Sequence, residues 1–162
     1  LNSVLAMANF AQRAKEAGVD GLIMVNLPQE EAAGLRQTLS AEGIDLVSLI
    51  APTTPDQRAK EIVATSSGFL YYVSLKGTTG SSAIAIEEVM ERTSFLQTLT
   101  RVPICVGFGI KDAESAAAAS THADGVVVGS ALVQLMSESP TPTTAAERLE
   151  TATAEIRNGL DG

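Results

Sequence analysis

Cysteine is nearly missing from this chain. Cys105 stands alone, so no internal disulfide can form, and its place in "VPICVGFG", among strand formers, reads as a buried and inert thiol. Histidine is as scarce. His122, in the helix–strand connection "STHADG", has no second histidine to share a metal ion with, and it is expected solvated near a helix end. Basic residues are few: 11 Lys and Arg against 19 Asp and Glu leave a net charge of −8. No basic patch is present, which excludes nucleic acid as a partner and argues against anionic membrane surfaces. Long apolar runs are absent too; each is cut by Pro, Gly or a charge before it could span a bilayer. No G-x-G-x-x-G follows the first strand-like run, which weighs against a dinucleotide-binding fold. The opening "NSVLAMANFAQRAKEAG" lacks the basic start and apolar centre of a signal peptide. It reads as a helix already under way, so the chain is expected to be a piece of something longer.

What remains is an ordinary globular composition. The 162 residues are 45% hydrophobic and 19% charged, enough for one domain with a core. One unit repeats along them: a short apolar run, a polar turn, a helical pattern. The runs are "GLIMV" (21–25), "LVSLI" (46–50), "FLYYV" (69–73), "PICVGF" (103–108) and "GVVVG" (125–129). Nearly every residue in them is apolar, the pattern of parallel strands covered on both faces. Between them Ala32, Leu35 and Leu39 share a helical face that Gly43 ends. Pro55 opens the next helix, over Ala59, Ile62 and Val63. Ile86, Val89 and Met90 mark a third, and "KDAESAAAAS" is a short alanine-rich one. Ala146, Leu149, Thr153, Ile156 and Leu160 line the last, with Thr144 as its expected N-cap.

Alternating strand and helix imply an α/β fold with right-handed crossovers. The last two units favour a (β/α)-barrel over an open doubly wound sheet. "GFGI" and "GSALV" follow consecutive strands, and in many (β/α)₈ barrels those two loops, with a short extra helix such as "SALVQLMSES", hold a phosphate. Five strands do not close an eight-stranded ring, so the expected fold is a partial barrel. Glycines at the loops suit an anion, because unblocked backbone N–H groups and a helix N-terminus converge on it. Gly107 and Gly109 after one strand, Gly129 and Ser130 after the next, and Gly80 from a third loop are the candidates. Each glycine alone is better explained by a tight turn; three loops at consecutive strand ends favour the phosphate. Gly77 and Gly80 also suit a loop that closes over a ligand. Acid–base groups are not found where a barrel would place them. The strand ends hold Asn26, Ala51, Ser74, Gly107 and Gly129, and Lys76, one step further, reads as a solvated loop charge more readily than as a Schiff-base lysine.

Taken in order and spacing, "LIMVNLPQEEA", "LIAPTTPDQR", "YYVSLKGTTGSS", "VGFGIKDAE" and "GVVVGSALV" resemble the tryptophan synthase alpha chain. The resemblance covers essentially the whole chain and about the C-terminal three-fifths of that (β/α)₈ barrel. It implies that residues 1–162 hold about strands 4 to 8 with their helices, strands 1–3 being absent. It also implies retro-aldol cleavage of indole-3-glycerol phosphate to indole and glyceraldehyde 3-phosphate in tryptophan biosynthesis, in the cytoplasm. The partner would be a beta chain that carries pyridoxal phosphate, in a heterotetramer; this chain would bind no cofactor and no metal. Gly80, Gly109, Gly129 and Ser130 then match the phosphate positions. Tyr71, Phe108, Val127, Ile23 and Val25 match positions lining the indole pocket, and Thr79 the threonine of the closing loop. The family's catalytic Glu and Asp lie on strands that precede Leu1, so no catalytic residue is expected in this segment and it should be inactive alone. Asn26 and Leu75 depart from the Asp and Arg frequent in the family. Two other readings stand beside this one: a different barrel enzyme acting on a phosphorylated small molecule, against which "APTTP" and "GTTGSS" argue, and a half-barrel that binds phosphate or a partner chain without turnover.

Overall fold

The computed structural model describes residues 9–25, 27–73, 82–107 and 109–161, with the side chains of Gln29 and of 82–86 excepted. Helix α1 (Phe10–Glu16) leads into strand β1 (Gly21–Ile23). There follow α2 (Gln29–Ala41), β2 (Asp45–Ile50), α3 (Asp56–Val63), β3 (Leu70–Val73) and α4 (Ser82–Leu99). The remainder is β4 (Ile104–Gly107), α5 (Ala113–Ser120), β5 (Gly125–Val126), α6 (Ser130–Ser137) and α7 (Pro142–Asp161).

The strands form one parallel sheet in the order β1-β2-β3-β4-β5. Each strand lies beside the one before it, which is the order along the wall of a barrel; a doubly wound sheet reverses direction part-way. Register follows from the pairs Ile23 with Val47, Leu49 with Tyr71, Tyr71 with Cys105, and Cys105 with Gly125. Side chains alternate across a strand, so these pairs separate two faces. Ile50, Leu70, Tyr72, Ile104 and Val106 turn toward the helices and are buried with Ala59, Ile62, Val63, Val89 and Leu96. A second cluster joins Ala11, Ala32 and Leu39 to Ile44 and Leu46 under α1 and α2; a third joins Ile110, Ala116 and Ile156 beneath β5. The other face carries Ile23, Val47, Leu49, Tyr71, Val73, Cys105 and Val127, and most of these are only half-buried.

Local chemistry explains the helix limits. Gly43 adopts φ 67° just past α2, the left-handed conformation that closes a helix at least cost to glycine. Asp112 caps α5: its carboxylate accepts from the Ser115 N–H at 2.9 Å, and the Ser115 hydroxyl accepts from the Asp112 N–H in return. The Ser115 hydroxyl also donates to Asp112 Oδ1 at 2.6 Å, and this bond first, then the one from the Ser115 N–H, holds the Asp112 carboxyl below its ordinary value.

Several expectations need correction. The strands are shorter than the apolar runs: β1 stops at Ile23 and β5 at Val126. The last helix starts at Pro142, so Thr141 and not Thr144 is its cap; the Thr141 hydroxyl accepts from the Thr144 N–H at 3.2 Å. Its inward stripe is Ala145, Leu149, Ala152, Ile156 and Leu160, while Ala146 and Thr153 face solvent. The stripe is set by contact with α5. A Cβ on Gly159 would stand 2.8 Å from the Ala113 Cα, so the two helix backbones touch there. Cys105 is half-buried and not enclosed, because it lies on the incompletely covered face. His122 is likewise half-buried, its N–H bonded to the Ala119 carbonyl at the end of α5.

Candidate functional site

Three of the expected pocket residues, Ile23, Tyr71 and Val127, share the inner face. Tyr71 lies between them on the central strand. Its ring crosses β4 above Gly107: a Cβ at Gly107 would come within 2.5 Å of Tyr71 Cε2 and 2.8 Å of Cζ. Gly107 therefore gives the tyrosine its seat, a role distinct from donating an N–H. Val47, Leu49 and Val73 lie on the same sheet face as Tyr71. Motif reading passed over them, although strand alternation counted from Tyr71 would have found them. At the edge strand, Ile23 is 44% exposed. Val25 lies beyond β1, is 74% exposed, and borders a crevice between α2 and α3.

This face is chemically quiet. Asp45 and Asp124 sit at the N-terminal ends of β2 and β5, and Asp124 Oδ2 accepts from the Ile104 N–H at 2.8 Å. No described carboxylate or imidazole stands on the inner face toward its C-terminal rim. Cys105 is the one ionisable sulfur on it. Burial first, and then the negative charge of Asp124, push its thiol above the ordinary value, which opposes nucleophilic use at neutral pH. Among the described residues no three His, Cys, Asp or Glu side chains gather as a metal site. No described helix is long and apolar enough to cross a membrane.

The C-terminal rim differs. Val106 and Val126 are paired, and the Val127 N–H reaches the Val106 carbonyl at 2.9 Å. Gly109 and Gly129 each stand three residues past that pair, so the two turns leave the sheet at the same level on adjacent strands. Gly109 has φ 50°, a conformation that strains any other residue. Gly129 is the residue before α6, and Ser130 begins the helix, whose first N–H groups lack intrahelical acceptors. Nothing lies within 4 Å of a Cβ built at either glycine. An anion placed against α6 would meet open backbone and the positive end of the helix dipole. Asn26, Leu75, Lys76, Gly77, Thr79, Gly80 and Phe108 lie outside the described residues.

The family model of the tryptophan synthase alpha chain matches residues 1–161. The chain belongs to the tryptophan synthase alpha chain family. It is 50% identical over 162 residues to the alpha chain of Chromobacterium violaceum, covering 99% of this chain and 62% of that one. To the Xylella fastidiosa alpha chain it is 43% identical, covering 98% and 59%. Among solved structures, the tryptophan synthase alpha subunit of Legionella pneumophila superposes with TM-score 0.84 at 33% identity, over 99% of this chain and 60% of the other. The Pyrococcus furiosus subunit does so with TM-score 0.82 at 35% identity, over 97% and 63%. The chain thus spans about three-fifths of the length of the relatives it matches.

Proposed function

We propose that this chain is the binding portion of a carbon–carbon lyase of the tryptophan synthase alpha type, which cleaves indole-3-glycerol phosphate to indole and glyceraldehyde 3-phosphate. Its strands would be the last five of an eight-stranded barrel. The observation that carries the reading is the match across residues 1–161, taken with two open glycine turns at one level of one rim and an apolar face below them. Gly109, Gly129 and Ser130, with Gly80 from the neighbouring loop, would hold the phosphate. Tyr71, Ile23 and Val127, with Val25 and Phe108, would border the indole ring, and Thr79 would belong to the lid.

In a retro-aldol cleavage the side-chain hydroxyl loses its proton as the carbonyl forms. The electron pair of the broken carbon–carbon bond returns to the indole ring, which gains a proton. Both transfers need a positioned acid or base. None stands at the described rim, so the proposal assigns them to a Glu and an Asp outside this segment. The product indole would pass to a cytoplasmic beta chain carrying pyridoxal phosphate; this chain would need no cofactor.

The test is indole release, measured with the chain alone and after addition of an N-terminal segment from a relative. The reading expects none alone and measurable release on complementation. Release by the chain alone would refute the assignment of the acid and base. Phosphate binding without release in either case would favour a half-barrel that only binds.

A further inference from the structure

Helix α6 presents the Gly129–Ser130 turn, yet little holds the helix in place. None of its eight residues is buried, none is charged, and Val133 and Met136 are exposed. Two helical turns are too few to be stable in water by themselves, so α6 depends on its ties to the rest of the chain. At its far end one tie is built in detail. The Ser139 hydroxyl donates to the Leu135 carbonyl at 2.6 Å and accepts from Arg148 Nη1, on α7, at 3.1 Å. Arg148 Nη2 also stands 3.9 Å from Glu138 Oε2. Leu135 lies in the last turn, where carbonyls run out of intrahelical N–H partners.

The two poles of α6 are therefore complementary. A guanidinium sits at the negative end of the helix dipole, and the positive end meets open backbone at Gly129. Resting on the phosphate site proposed above, we infer that Arg148 is its positioning residue. Through Ser139 it clamps the last turn of α6, and the helix carries that constraint about 12 Å along its axis to the N–H groups that would face the anion. A tie that orders α6 favours the anion, and the anion in turn favours the ordered helix, because coupling between two sites is reciprocal.

Inorganic phosphate is the probe, followed by amide NMR on the purified chain. The unaltered protein should bind it with shifts at Gly109, Gly129 and Ser130. Arg148→Gln should weaken that binding about fivefold, the low end of couplings between sites. Ser139→Ala changes no charge and lies at the other end of α6, and it should do nearly the same. The two together should be no worse than Arg148→Gln alone, because both break one tie; Arg148→Lys should restore part of the affinity. Amide exchange separates positioning from general weakening: it should quicken within α6 in each variant and stay unchanged at Ala116 and Ile156, in the core beneath β5. Should Arg148→Gln not fold, Ser139→Ala carries the test. Unchanged affinity in the variants, with phosphate still at Gly129 and Ser130, would overturn the clamp and leave the functional reading intact. Absence of phosphate shifts at those amides in the unaltered chain would overturn both. Lost protection at Ile156 would overturn the clamp as well, by making Arg148 a support of the whole fold.

Discussion

The contact between Tyr71 and Gly107 is the most exacting at the residue scale. Any side chain at position 107 would enter the volume of the ring. Gly107→Ala should therefore destabilise by about 1–3 kcal/mol, the usual cost of overpacking, as read from urea unfolding. In a Tyr71→Ala background the same change should be nearly neutral, because the colliding atoms are gone; an undiminished cost there would place the strain elsewhere. Cys105, across from Tyr71 in the register, gives a second test. Its thiol is raised by burial and by Asp124, so iodoacetamide should label the folded protein slowly at neutral pH. The rate should rise only above the ordinary thiol range. The linkage sign follows: the unfolded thiol ionises first, so this contribution to stability is complete below the unfolded value and is lost as pH climbs through the folded one. Labelling as fast as a free thiol at neutral pH would contradict the described environment.

At the scale of elements, α3 and α4 are fastened by one side chain. Arg92, 16% exposed, reaches the Asp56 carboxylate at 2.5 Å and the Thr54 carbonyl at 2.6 Å, with its guanidinium 5.0 Å from the Phe95 ring centre. Arg92→Ala removes two contacts at the entrance to α3 and one to Phe95 on α4 itself, and should cost about 1–3 kcal/mol in chemical denaturation; Arg92→Lys should recover only part, since an ammonium lacks the fork. Element order could be read before the structure because buried parallel strands are apolar on nearly every residue and the intervening helices are not. Element ends could not. The run "GVVVG" looks like one strand, yet pairing ceases at Val126, where the chain turns toward the rim. Ala145 and Ala146, or Ala152 and Thr153, are interchangeable to a periodicity count; close approach to α5 decides between them. The glycines of the rim were visible as a type of residue, but the Tyr71 seat at Gly107 was not, since it joins strands that lie 36 positions apart in the chain.

On the scale of the whole molecule, one sheet face has helices on it and the other is open among the described residues. β1 and β5 each pair on one side only, and the apolar inner surface has no opposite wall. Exposed edges and an apolar face favour association. Sedimentation velocity on the isolated chain should show mass increasing with concentration. Ile23→Lys, at an exposed inner position of β1, should shift the distribution toward monomer. A sharp monomer at all concentrations for the unaltered chain would argue that the inner face is already shielded.

The sequential strand order also carries a consequence for synthesis. Each strand after β1 docks on the one that left the ribosome just before it, so the sheet can grow by accretion of neighbouring units. The final strand is the exception. β5 has just two paired residues, and its helix-side cover includes Ile156 and Leu160 near the end of α7. Until those residues clear the exit tunnel, that edge has little to hold it, so nascent chains stalled before position 156 should remain protease-sensitive at β5 while β2 to β4 are already protected.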